Sequence, residues 1–200
     1  MSFHTTQGIV LRAIPFKDNQ KIATVFTQDL GLISMLLKKA SPRSGLLSFT
    51  ETFCEAEFVL QESRSDLFLF CEGDIYNLHL DLRTTLSHLQ TASCMTQGIL
   101  RSQFPKKPTP ALYKLLSSFL HRITTYPCST TLLACFYLKV LKHEGTYSPQ
   151  EEEHSFSLQE KFFLQELMHC PNFTALIQKT CSLELGSRIE HLFYQIISLD

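Results

Sequence analysis

Tryptophan is absent from the 200 residues, and only 7 are glycine. Any flat aromatic platform must therefore come from the 16 phenylalanines or 6 tyrosines. No glycine-rich loop of the kind that cradles phosphates is present. Charged residues make up 18% against 44% hydrophobic, which excludes wholesale disorder. An excess of one charge sign is also missing, since the net charge is −1. The seven cysteines, at 54, 71, 94, 128, 135, 170 and 181, include no C-x-x-C pair. The usual zinc-ribbon and redox spacings are thereby excluded, and an odd, scattered set suits reduced thiols in a cytosolic protein. The longest apolar stretch, Leu132 to Leu141, contains Lys139 and is about half a membrane span. The opening Met1-Ser2-Phe3-His4-Thr5-Thr6 has neither the basic patch nor the apolar run of a signal peptide. These features predict a soluble cytoplasmic protein.

Catalytic signatures are missing too. There is no G-x-S-x-G, no H-E-x-x-H, no phosphate-binding loop and no G-x-G-x-x-G. His143-Glu144 begins like a zincin motif, but Gly145-Thr146-Tyr147 does not continue it. His169, Cys170, Cys181 and His191 match no common ligand spacing and sit within amphipathic helical patterns. Glu151-Glu152-Glu153 reads as a solvated acidic loop. Neither an enzyme nor a bound metal or cofactor is expected.

What is present is patterning. Residues 7–12, 21–26 and 32–37 are rich in β-branched and apolar side chains, with Gln28-Asp29-Leu30-Gly31 as a turn between the last two. Over 53–60 the period is two: Cys54, Ala56, Phe58 and Leu60 face one way, Glu55 and Glu57 the other. Leu67 to Cys71 supplies a fifth strand. Five short strands in so few residues fit a small barrel, which closes to remove its edges. After about Tyr76 the period becomes 3.6. Leu112, Leu115, Leu116, Phe119, Leu120 and Ile123 share one helical face, as do Ile189, Leu192, Phe193, Ile196 and Ile197. Ser157-x-x-Glu160 is a capping-box start, and Gly145 a helix stop. A first helix is expected over about 81–103, and Pro105, Pro108 and Pro110 mark a loop before the second. The predicted class is α+β: a five-stranded barrel over 1–78, then an α-helical domain over 79–200.

The near-neutral total hides segregation. Lys and Arg less Asp and Glu gives +4 over 1–50, −6 over 51–80, +6 over 81–150 and −5 over 151–200. Local fields of this kind decide what a surface attracts. In the first block, Leu37-Lys38-Lys39-Ala40-Ser41-Pro42-Arg43-Ser44-Gly45 follows a strand and holds no acid. Lys38, Lys39 and Arg43 there could neutralise phosphates, with Arg12, Lys17 and Lys21 extending the patch. On spacing alone the same lysines read equally well as a solvated loop. Phe16, Phe26, Phe49, Phe53, Phe68 and Phe70 raise base stacking as a second possibility, although core packing suits most of them better. Arg101, Lys106, Lys107 and Lys114, around the proline loop, form a possible second basic surface.

In their order along the chain these segments resemble a known family. Thr6-Gln7-Gly8-Ile9-Val10-Leu11-Arg12, Ile22-Ala23-Thr24-Val25-Phe26-Thr27 and Gly31-Leu32-Ile33-Ser34 are similar to the N-terminal barrel of bacterial recombination mediators of the RecO family. Lys38-Lys39-Ala40 through Ser44 resembles the family's basic stretch, with Lys39 in place of the usual glycine. Phe136-Tyr137-Leu138-Lys139-Val140-Leu141 through Gly145-Thr146-Tyr147-Ser148-Pro149 resembles its helix and turn, and Leu185-Gly186-Ser187-Arg188 its closing helix. Many members carry paired cysteines for zinc just after that turn. Here the place holds Gln150-Glu151-Glu152-Glu153-His154, so no zinc is carried over. The resemblance implies an oligonucleotide/oligosaccharide-binding (OB) barrel joined to helices. It implies binding and annealing of single- and double-stranded DNA. It also implies partnership with RecR and single-stranded-DNA-binding protein, and indirect help in loading RecA, in the bacterial cytoplasm at the nucleoid. A protein-interaction adaptor whose barrel meets no nucleic acid is the alternative.

Overall fold

The computed structural model describes residues 2–38, 45–63, 65–126, 129–148 and 156–198. Five strands, β1 (Phe3–Pro15), β2 (Gln20–Thr27), β3 (Gly31–Lys38), β4 (Glu55–Glu62) and β5 (Leu67–Asn77), close into a barrel in the order β1-β2-β3-β5-β4. All pairings are antiparallel except β3 with β5, where Ser34, Met35 and Leu36 run parallel to Leu67, Phe68 and Leu69. This is the five-stranded barrel that the patterning predicts, of the OB type that the resemblance implies, with a longer fifth strand than the expected 67–71. β1 serves two neighbours: Phe3 to Ile9 pair with β4, and Gly8 to Pro15 with β2, the latter with an irregularity between Val10 and Arg12. Such a bulge bends a strand enough to turn a barrel corner. Gly8 lies in the doubly paired stretch, where an added Cβ would come within 2.7 Å of Val25 Cγ1.

Alternation fills the barrel. Val10, Ala23, Val25, Met35, Ala56 and Phe58 are buried in one cluster. A short 3-10 turn over Leu46–Thr50 contributes Phe49, whose ring lies 4.8 Å from that of Phe70 and 6.1 Å from that of Phe58. Of the phenylalanines weighed for stacking, Phe26, Phe49, Phe53 and Phe68 are buried and Phe70 half-buried, so packing claims them. Phe16 alone of the six is exposed, at 48%. The β2–β3 turn is set by Thr27, whose hydroxyl donates to the Gly31 carbonyl and accepts from Leu30 N. Gly31 has φ 71°, and a Cβ there would run into the Lys107 carbonyl.

Among the described residues six α-helices follow: α1 (Leu86–Ser102), α2 (Pro110–Leu120), α3 (Ser129–Glu144), α4 (Leu158–Met168), α5 (Phe173–Ile177) and α6 (Leu183–Ile197). The first begins later than the expected 81, because Leu80–Arg83 forms a separate 3-10 turn. The chain divides into two compact units, residues 1–84 with 102–121 and residues 85–101 with 122–200. The proline loop and α2 thus belong with the barrel, a grouping that hydrophobic periodicity along the chain does not reveal. Within that unit the Tyr113 ring of α2 lies 6.3 Å from that of Phe26. Leu112, Leu116, Phe119, Leu120 and Ile123 of the expected apolar face are all buried.

In the second unit α3 is apolar nearly all round, as a central helix must be. Leu132, Phe136, Tyr137, Val140 and Leu141 are fully buried. Tyr137 stacks on Phe193 of α6 at 4.3 Å and 23°. Gly145, with φ 72°, ends α3 by donating to the Leu141 carbonyl at 3.1 Å, and the Ser157–Glu160 capping box starts α4. Among the described residues, no helix is long and apolar enough to cross a membrane.

Candidate nucleic-acid interface

Strand register sorts the barrel's basic residues by face. Directly opposed residues on neighbouring strands point to the same side. Ala13, Ala23 and Met35 form an inward rung, and Arg12, Thr24 and Ser34 the outward rung beside it. Ile14, Ile22 and Leu36 form the next outward rung. At the hairpin end, Phe16 N donates to the Gln20 carbonyl, and Gln20 opposes Lys38. The outward β1–β2–β3 face therefore runs from Arg12 to Lys38, roughly 13 Å along the strands at about 3.3 Å per residue. The Arg12 guanidinium donates from Nε to Thr24 Oγ1 at 3.2 Å. Lys17 Nζ, in the β1–β2 turn, lies 5.4 Å from the Phe16 ring centroid. Ile14 (55% exposed) and Phe16 give this face uncovered apolar surface between its cations.

Lys21 behaves differently. It opposes Pro15 and Leu37, which puts it on the inward register at the barrel's end and half-buried. Sequence spacing places it with Arg12 and Lys38; the pleat separates them. Lys39 and Arg43 lie outside the described residues. The β4–β5 side has the opposite charge: Glu57 is opposed to Asp74, and Val59 to Glu72, on the outward register. The barrel thus carries a basic face and an acidic one, each from a single block of sequence.

Residues 1–94 match the family model for the N-terminal domain of recombination protein O. The chain is 31% identical over 141 residues to a protein of Chlamydia pneumoniae named DNA repair protein RecO, covering 69% of this chain and 55% of the relative. It is 26% identical over 229 aligned positions to a protein of that name from Chlamydia trachomatis serovar L2, covering 97% and 92%. A similarly named protein of Syntrophus aciditrophicus is 27% identical over 148 residues, 73% of this chain and 57% of the relative. The chain belongs to the RecO family.

In this RecO chain the second group of cations is dispersed. Arg101 belongs to the helical unit, with its guanidinium 4.8 Å from the Tyr194 ring centroid. Lys106, Lys107 and Lys114 belong to the barrel unit. Lys106 is held by its backbone, N donating to the Leu32 carbonyl at 2.9 Å, and its Nζ pairs with Asp66 at 2.8 Å. That pairing keeps the Asp66 carboxyl below its usual range. Lys107 and Lys114 are exposed.

One constellation escapes the sequence. Glu55, on the outward register of β4, is expected in solvent but is only 7% exposed because α2 covers it. Its Oε1 accepts from Ser117 Oγ at 2.7 Å and Tyr113 Oη at 3.2 Å. Its Oε2 faces two imidazoles, 3.5 Å from His79 Nε2 and 3.8 Å from His121 Nδ1. Burial alone would raise this carboxyl; the flanking groups, His79 and Ser117 foremost, bring it below its ordinary value. At 3.5 Å the His79 contribution is largely electrostatic. Burial, and then Glu55, push the Tyr113 phenol upward, so it remains a donor. The signal was only the pattern Glu55…His79…His121, spaced too widely to read as a motif.

Proposed function

We propose that this RecO chain is a non-enzymatic DNA-binding protein of recombinational repair, contacting phosphates through the outward β1–β2–β3 face and the basic stretch after β3. The observation that carries this reading is the run of outward rungs from Arg12 to Lys38, with Lys17 beside exposed Phe16. Cations spaced along a strand suit a sugar–phosphate backbone, and an exposed ring beside them suits an unpaired base. The acidic β4–β5 side repels the same polyanion, which orients the barrel on it. Annealing needs neutralisation so that two polyanions can approach, while base pairing supplies the specificity. Neither step needs nucleotide hydrolysis. The partners that follow are single- and double-stranded DNA, RecR and single-stranded-DNA-binding protein, with RecA loaded indirectly, in the bacterial cytoplasm.

The test is DNA affinity measured against salt concentration. Alanine at Lys38, Lys39 and Arg43 together should weaken binding across all sequences. It should also flatten the salt slope by about 2–3 units, at about 0.7–0.9 for each phosphate no longer neutralised. Adding Arg12→Ala should flatten it further, whereas Lys21→Ala should do less. Unchanged affinity and slope would refute the assignment. Exposed Ile14 and Phe16 favour one second reading, a protein-interaction adaptor. Under it the wild-type chain shows no salt-dependent DNA binding at all.

A further inference from the structure

We propose that Glu55, His79 and His121 form a binding site for one divalent transition-metal ion of the zinc class. The three residues come from the start of β4, the segment after β5 and the end of α2, all within the barrel unit. Each offers one ligand atom, and these atoms lie within 4.8 Å of one another; among the described residues no other such group converges. His79 is 1% exposed, and its Nε2, aimed at Glu55 Oε2, has no hydrogen-bond partner. A buried imidazole nitrogen left in that state is costly, and a cation between it and the carboxylate would satisfy both.

The surrounding contacts divide as coordination requires. Tyr113 and Ser117 occupy Glu55 Oε1, leaving Oε2 for an ion. His121 Nδ1 lies 2.9 Å from the Ser117 carbonyl. It is this Nδ1 that lies 3.8 Å from Glu55 Oε2, so coordination through it gives up the Ser117 bond, and coordination through Nε2 turns the ring and keeps that bond as outer support. Nε2 now has only a 3.4 Å contact with the Asn77 amide. His79 is itself positioned by its backbone N donating to Asn77 Oδ1 at 2.7 Å. Two imidazoles and one carboxylate suit zinc with a fourth position open to water. Magnesium or calcium would want six or more oxygens, and one carboxylate is too few. Tetrahedral bonds of about 2.0–2.1 Å bring ligand atoms to about 3.4 Å apart. The rearrangement falls on His121, whose side chain is 47% exposed and can move. A bound ion would pin the end of α2 to the barrel.

The full-length chain, stripped with a chelator, is titrated with zinc chloride and, separately, cobalt(II) chloride. One equivalent should bind. The cobalt form should show ligand-field absorption without the thiolate charge-transfer band that cysteine ligation gives. Zinc should raise the melting temperature of the wild type. Glu55→Gln and His121→Ala should each weaken zinc binding by at least about tenfold and abolish that rise. Because His121 is half exposed, its variant keeps the test sound even where a change at buried Glu55 disturbs folding. Absence of stoichiometric binding, a thiolate band, or wild-type affinity in the folded His121→Ala protein would each overturn the proposal. These readouts do not involve DNA, so they stand apart from the test of the basic face.

Discussion

Cys54 and Cys71 are both thiols of the barrel, yet their surroundings give them opposite chemistry. Cys54 is fully buried, and burial, followed by Glu51 and Glu55, pushes its pKa up to about 12. Burial does the same to Cys135, also to about 12. Neither yields a useful fraction of thiolate at neutral pH, and the thiolate is the nucleophile. Cys71 is exposed. Iodoacetamide at neutral pH should therefore label Cys71 quickly and leave Cys54 and Cys135 unmodified until the chain is unfolded. Peptide mass mapping over time checks this. Early labelling of Cys54 would contradict a closed barrel.

At the scale of the element, α4 shows how few residues fix a helix start. Ser157 accepts from Glu160 N at 3.3 Å, Glu160 accepts from Ser157 N at 2.7 Å, and Arg188 of α6 donates to the same carboxylate at 2.6 Å. Ser157→Ala should cost about 0.5–2 kcal/mol, as removal of a helix cap generally does, read as a lower urea midpoint. The Ser157 backbone, and then Arg188, hold the Glu160 carboxyl below its ordinary value of 4.5. A carboxyl lowered by folding adds stability that is complete above its unfolded pKa and lost as pH falls through its folded one. The wild type should thus lose part of its midpoint as pH drops below about 4.5. Glu160→Gln should start lower at neutral pH and lose less on acidification. Parallel curves for the two proteins would exclude this contribution.

For the whole molecule the governing feature is charge segregated in blocks. Arg12 and Lys38 of the first block lie on the outward β1–β2–β3 face, and Glu57, Glu72 and Asp74 of the second on the β4–β5 side. The loop before α2 is the second basic region, and its function is a proposal: the acidic, apolar-tipped tail of single-stranded-DNA-binding protein is the ligand that fits it. Charge reversal at Lys106 and Lys107 should weaken binding of that tail peptide more than binding of naked DNA. Reversal at Lys106 also breaks its pair with Asp66, so Lys107 alone serves as the cleaner variant. Titrating both ligands against each variant decides the matter. Equal weakening for both would mark a general phosphate contact, and no weakening a merely solvated loop.

Local chemistry along the chain determined a good deal. Alternation at Cys54, Ala56, Phe58 and Leu60 requires a half-buried strand, and all four side chains are buried. The Ser157–Glu160 box and Gly145 operate within one helical turn, so their neighbours suffice to predict them. Tertiary structure alone decided the rest. Glu55 belongs to a polar face by its period, but α2, brought over it by a proline loop, converts that face into an interior. Lys21 is as basic as Arg12, and only pairing with Pro15 and Leu37 turns it to the barrel's end. His79 and His121 are 42 residues apart in the chain and 4.6 Å apart between ring centroids. Periodicity reports which way a side chain points from its own element; what stands opposite depends on contacts between distant segments, which no local pattern encodes.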